Sequence, residues 1–182
     1  MYPGRVDLGV GRAPGSNPFI NSVLAYGSQI GAEYFPQMVG DLDALLRDVD
    51  PLTPGMEKAR AYPRVDIPPA LWMLGSSNDS AKLAASMGLP YCFAYFINSN
   101  IGSDIFATYR DNFIGSDVAE KPYSCLCPFV ICANTDAEAE RLYKSRELWY
   151  LRLLTQNESG GFPSVEEAEN YQYSENDRAL LQ

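Results

Sequence analysis

The residues best suited to chemistry lie in two short stretches, "GSSNDS" from Gly75 to Ser80 and "GVGRAPG" from Gly9 to Gly15. The first follows an apolar run and precedes an alanine-rich helical pattern. Successive backbone N–H groups from Ser76 to Ser80 would therefore point out of a helix N-terminus, where the partial positive charge favours anions. Ser77 and Ser80, three residues apart, share one side of the first turn and add two hydroxyls. Gly75 would let the backbone pass close to a ligand. Such a set suits a phosphate, yet Ser, Asn and Asp are also the preferred residues for plain helix capping. Arg12 falls two residues after the last apolar position of its own segment. It reads either as a solvated loop arginine or as a forked donor to phosphate oxygens at the same sheet edge.

Other chemistries lose support. There is no Gly-Lys-Ser of the Walker type, and no G-x-G-x-x-G follows a strand, so neither nucleotide hydrolysis nor a dinucleotide fold has a motif. The chain contains no histidine, which removes the commonest general base and the commonest metal ligand together. Cys92, Cys125, Cys127 and Cys132 sit in apolar, strand-like runs and are expected to be buried, reduced thiols. Cys125 and Cys127 would share one face of a strand without making a C-x-x-C metal pair. No metal is called for, and no residue is assigned to catalysis.

A net charge of −9 opposes nucleic acid and anionic membrane surfaces as partners, because both are bound through Lys and Arg. No stretch approaches the about 18 apolar residues of a membrane span, and the N-terminus lacks an apolar signal core. A cytoplasmic protein is expected. With 182 residues, 46% of them hydrophobic, the chain has material for a single domain with a true core.

The elements that must position these residues alternate. Arg5 to Val10 reads as a strand, followed by the long connection "GRAPGSNP". Met38, Val39, Leu42, Leu45 and Leu46 fit one face of a helix from Phe35, ended by Asp50-Pro51. Residues 51–69, with five prolines, form an irregular linker. Ala70 to Leu74 is a short strand and Gly75 to Asn78 its exit turn. A helix begins near Asp79, with Leu83, Ala84 and Met87 inward and Gly88 as its left-handed closing residue. Tyr91 to Ile97 is unbroken apolar sequence, expected as a strand covered on both faces. Asp104 to Phe113 reads as a helix, and Tyr123 to Ala133 as a strand with Pro128 at a bulge. "TDAE" at Thr135 opens a helix to about Leu154, and "SVEE" at Ser164 opens a shorter one. The alternation implies α/β class with a parallel sheet.

"YPGRVDLGVGRAPGSNP", "LWMLGSSNDSAKLAASMGLPYCFAYFIN", "VICANTDAEAERL" and "PSVEEAENYQYSENDRAL", in this order and spacing, resemble the bacterial luciferase-like, flavin-dependent monooxygenases. The resemblance runs nearly end to end. It implies a (β/α)8 barrel that binds reduced FMN, supplied by a reductase or NAD(P)H, and uses molecular oxygen to oxidise a small organic substrate. Arg12 then matches the arginine that contacts the FMN phosphate after the fourth barrel strand. Ser76 and Ser77 fall in the fifth strand's exit turn, which also holds that phosphate, and Ser80 takes the place of a second hydroxyl donor. Tyr95 stands where an aromatic lies beside the flavin ring, or else is simply a core aromatic. Gly11 occupies the position of a reactive cysteine in bacterial luciferase itself, so that thiol is absent. Ala25 and Tyr26 stand near where the family places a further basic residue.

A complete barrel takes about 200–250 residues or more. The resemblance therefore implies a partial barrel, residues 1–182 supplying strands four to seven, with the family's active-site histidine in a part this sequence does not contain. A half barrel exposes sheet edges and an apolar face, which predicts a homo-oligomer or pairing with a complementary half barrel. Two functions stand at this point: an FMN-dependent oxidoreductase chain, or a non-enzymatic flavin-binding or subunit-like scaffold.

Overall fold

A computed structural model describes residues 2–12, 32–99, 104–156 and 161–181. The expected connection from Ala13 to Pro18, with Ala25 and Tyr26, lies outside the described residues. The described residues fall into two compact units, one ending at Phe129 and one beginning at Val130.

In the first unit the strands β1 (Asp7–Gly11), β2 (Ala70–Gly75), β3 (Tyr91–Phe93) and β4 (Ser124–Leu126) form one sheet in that order, every pair parallel. Between them run α1 (Phe35–Leu46), α2 (Asn78–Ser86) and α3 (Asp104–Asp111). The α/β class and parallel alternation read from the sequence are present as expected. Leu71 and Met73 of β2 and Tyr91 and Phe93 of β3 are buried against Ala81, Ala84 and Ala85 of α2 and Ile105 and Tyr109 of α3. Small alanines let α2 approach the sheet closely, and the period of two sends the alternate residues to the other face. That second face is open: Leu74 is 39% exposed, and Cys125 is exposed as well.

Two strands are much shorter than their apolar runs predict. β3 ends at Phe93, because Tyr95 N–H turns back to the Phe93 carbonyl (2.9 Å) and Ile97 N–H to the Ala94 carbonyl (3.0 Å). Tyr95, Phe96 and Ile97 thus lie exposed in a turn, and β3 is covered on one face only. β4 ends at Leu126. Cys127 N–H still reaches the Phe93 carbonyl (2.8 Å), but Pro128 has no N–H with which to extend the ladder. The thiols are accordingly not buried: Cys92 is half-buried, and Cys125, Cys127 and Cys132 are exposed.

α1 also differs in detail. It stops at Leu46, ahead of Asp50-Pro51, where Asp48 takes a left-handed φ of 58° and Val49 N–H bonds the Ala44 carbonyl (3.0 Å). Met38 is exposed, and Asp41 is buried on the inward side instead. Its carboxylate accepts from Thr53 N–H (2.9 Å) and from the Thr53 hydroxyl, pinning the start of the irregular 51–69 segment. The Thr53 hydroxyl, followed by backbone N–H donors and against the opposing effect of burial, holds the Asp41 carboxyl below the ordinary aspartate range. A depressed folded-state pKa adds stability that is complete above the unfolded value and disappears as pH falls through the folded one. The stability advantage of the wild type over Asp41→Asn, from urea midpoints, should hold at neutral pH and shrink below about pH 4.

In the second unit α4 (Asp136–Gln156) starts on Thr135, whose hydroxyl accepts from Glu138 N–H (3.2 Å). α5 (Val165–Asn170) starts on Ser164, which accepts from Glu167 N–H (3.0 Å), so both predicted caps are in place. The Trp149 ring of α4 stacks on Phe162 at 4.8 Å, and the Ser145 hydroxyl donates to the Pro163 carbonyl. A further helix, α6 (Glu175–Leu180), is held by a reciprocal Ser174–Asp177 box that the sequence reading passed over. No helix of the described residues is long and apolar enough to cross a membrane.

Candidate functional site at the C-terminal sheet edge

The β1–β2 register pairs Gly11 with Leu74. One step further along both parallel strands, Arg12 comes beside Gly75, at the C-terminal edge of the sheet where α2 begins. Arg12 is exposed. The alternation of β1 assigns it to the side of Val10, which packs on the same core as α2. Arg12 and the Ser76–Ser77 turn thus follow the C-terminal ends of two adjacent strands.

Ser77 is the N-cap of α2, in extended conformation (φ −141°, ψ 160°). Its hydroxyl accepts from Ser80 N–H (3.4 Å), while Ser80 Oγ accepts from Ser77 N–H (3.3 Å) and donates to the Ser77 carbonyl (2.6 Å). Ser80 Oγ also meets the Tyr91 hydroxyl at 3.1 Å. The two serines, alike in sequence, have different chemistry left over. A hydroxyl carries one proton, and Ser80 has spent its own on the Ser77 carbonyl. Ser77 only accepts within the box, so its proton is available to a ligand. The first-turn N–H groups of Asn78 and Asp79 have no intrahelical acceptor, since the helix starts there. The Ser80 hydroxyl thus supports the turn from within, through Ser77 and Tyr91. Packing also requires Gly75: a Cβ there would lie 2.0 Å from Ser80 Oγ and 2.3 Å from Ser80 Cβ.

The turn after β3 completes the rim. Ala94 N–H donates to the Gly75 carbonyl (2.8 Å), and Asn98 Nδ2 donates to the Ser76 carbonyl (3.1 Å). Tyr95, on that turn, is 37% exposed, its ring edge-on to Phe93 at 6.2 Å. The structure thus brings Arg12, Ser76, Ser77 and Tyr95 to the ends of three consecutive strands. Sequence reasoning missed two supports, Asn98 and Tyr91. Tyr91 is fully buried, its ring against Tyr109 (5.5 Å), and burial raises its phenol pKa, opposed by the Ser80 bond. The long-range pairing of Tyr91 with Ser80 carries no local sequence signal. Only the turn-forming Asn-Ser-Asn at 98–100 could have marked Asn98.

A guanidinium, a free hydroxyl proton and two helix-start N–H groups form a donor set suited to an oxyanion. Among the described residues no group of three or more His, Cys, Asp or Glu side chains is placed to hold a metal ion.

Residues 1–180 match the family model described as luciferase-like monooxygenase. The chain is 37% identical over its whole length to protein YceB of Bacillus subtilis (strain 168), covering 55% of that protein. It is 36% identical to a luciferase-like monooxygenase of Escherichia coli (strain K12), over 90% of this chain and 47% of that one. The crystal structure of apo-MsnO8 superposes with a TM-score of 0.74 at 34% identity, over 92% of this chain and 48% of that one. The chain spans about half the length of the curated relatives it matches. A four-stranded parallel sheet matching about half of such a protein agrees with the expected partial barrel. The chain belongs to the luciferase-like monooxygenase family.

Proposed function

We propose that the rim formed by Arg12, Ser76 and Ser77 binds the phosphate of FMN, and that the chain serves a monooxygenase reaction on a small organic substrate. The observation that carries this reading is the β1–β2 register, which sets Arg12 beside the exit turn that starts α2. Bound reduced flavin supplies the electrons with which oxygen is activated. The chain's own residues bind and orient it. Arg12 pairs with phosphate oxygens, and the Ser77 hydroxyl and the amides of Asn78 and Asp79 donate to the remaining lone pairs. Tyr95 offers an aromatic edge on the side of the rim formed by β3. Asn98 keeps that turn fixed to Ser76.

The open sheet face and the outer edges of β1 and β4 favour association with a second copy or a complementary half barrel, which would also keep water from the flavin. The reading places the protein in the cytoplasm, where a reductase or NAD(P)H can supply reduced flavin.

The test is a fluorescence titration with FMN and with riboflavin, the same ring system without phosphate, on the wild type and Ser77→Ala. Wild type should prefer FMN, and Ser77→Ala should lose at least about 10-fold of that preference, as for one hydrogen bond to a charged group. Equal affinity for the two flavins would overturn the phosphate assignment. Formation of oxidised product from a panel of small organic substrates with reduced FMN and oxygen, counted above the protein-free control, then separates the two functions. Flavin binding without substrate oxidation leaves the scaffold reading.

A further inference from the structure

Outside the rim, the open face of the sheet carries a thiol cluster that no flavin role uses. Cys92 of β3 and Cys125 of β4 are register partners. Side chains of directly paired residues on neighbouring strands share a face. Tyr91 and Phe93, on either side of Cys92, are buried toward the helices, so Cys92 and Cys125 face the open side. Strands spaced about 4.8 Å apart put paired Cα atoms inside the about 4.4–6.8 Å window of a disulfide. Cys127 lies two residues further on, also exposed. From strand spacing and rise, the Cα of Cys127 is about 8 Å from that of Cys92, beyond the window.

We infer that Cys92 and Cys125 form an intramolecular disulfide when the protein meets a peroxide, clasping β3 to β4 across the open face. Burial first, then the neighbouring thiols, pushes the Cys92 thiol up to about 12, so Cys92 stays protonated at neutral pH and is not the thiol that attacks the peroxide. Exposed Cys125 takes one oxygen from hydrogen peroxide, its thiol becoming a sulfenic acid as water leaves. The Cys92 sulfur then attacks the Cys125 sulfur as its proton passes to the sulfenic oxygen beside it. The sulfur–sulfur bond forms, the sulfenic S–O bond breaks, and the Cys92 proton leaves with the hydroxyl as a second water. Two thiols are oxidised by two electrons, and one peroxide is reduced to two waters.

The experiment treats the whole chain with a slight excess of hydrogen peroxide, blocks remaining thiols, and maps the unreduced digest by tandem mass spectrometry. The expected product is a monomeric chain that has lost two hydrogens, with a Cys92–Cys125 linkage that dithiothreitol reverses. Cys127→Ser and Cys132→Ser should keep the linkage, and Cys125→Ser should abolish it. A Cys125–Cys127 or Cys92–Cys127 bridge, a bridge between chains, or sulfinic acid without any bridge would each overturn the inference. The wild-type map decides the matter even if a variant fails to fold, and none of these outcomes depends on flavin binding.

Discussion

Alanine at Gly75 is expected to destabilise the first unit by about 1–3 kcal/mol, the range for forcing an extra methyl into a packed site. The new Cβ would sit 2.0 Å from Ser80 Oγ and 2.3 Å from Ser80 Cβ, so no rotation of the hydroxyl relieves it. Relief requires Ser80 to move, and with it the three hydrogen bonds that join it to Ser77 and the contact with Tyr91. The helix start would shift off the end of β2. A lower urea midpoint and weaker FMN binding should therefore appear together. Ser80→Gly, which deletes both clashing atoms, should return part of the stability when combined with Gly75→Ala, a coupling between two residues in contact. Independent, additive losses would contradict the packing account.

Arg12→Ala should weaken FMN binding about 10- to 100-fold, the equivalent of about 1.5–3 kcal/mol for hydrogen bonds to a charged partner. Riboflavin affinity should not change, since riboflavin lacks the phosphate. Lysine at this position keeps the charge but not the planar fork, so Arg12→Lys should fall between wild type and alanine. Because Arg12 is exposed at a strand end, urea midpoints of these variants should match the wild type, which separates lost binding from lost folding.

Much of the frame was legible because its signals are local. The order of strands and helices, the caps at Thr135 and Ser164, and the left-handed Gly88 (φ 62°) all follow from spacing within a few residues. The lengths of β3 and β4 were not. Their apolar runs, Tyr91 to Ile97 and Tyr123 to Ala133, predict strands buried on both sides, yet the helices cover one face and the other is open. Hydrophobicity in those runs suits a sheet whose second face is also covered. The same mismatch explains why thiols expected to be buried lie exposed. At the rim, the alternation placed Arg12, Ser76 and Ser77 at one edge, and the family resemblance added Tyr95. It could not separate Ser77 from Ser80, because the difference rests on where one hydroxyl proton goes and on a tyrosine eleven residues away. Asp41 escaped for a similar reason, since its partner Thr53 lies beyond the helix end.

The most direct measurement is a backbone amide NMR titration of the chain with FMN and, separately, with riboflavin. Amide resonances of Arg12 and of Ser76 to Asp79 should shift with FMN, saturate together, and stay in place with riboflavin. Shifts of those amides that are the same for both flavins, or FMN shifts confined to other parts of the chain, would contradict a phosphate seat at the ends of β1 and β2.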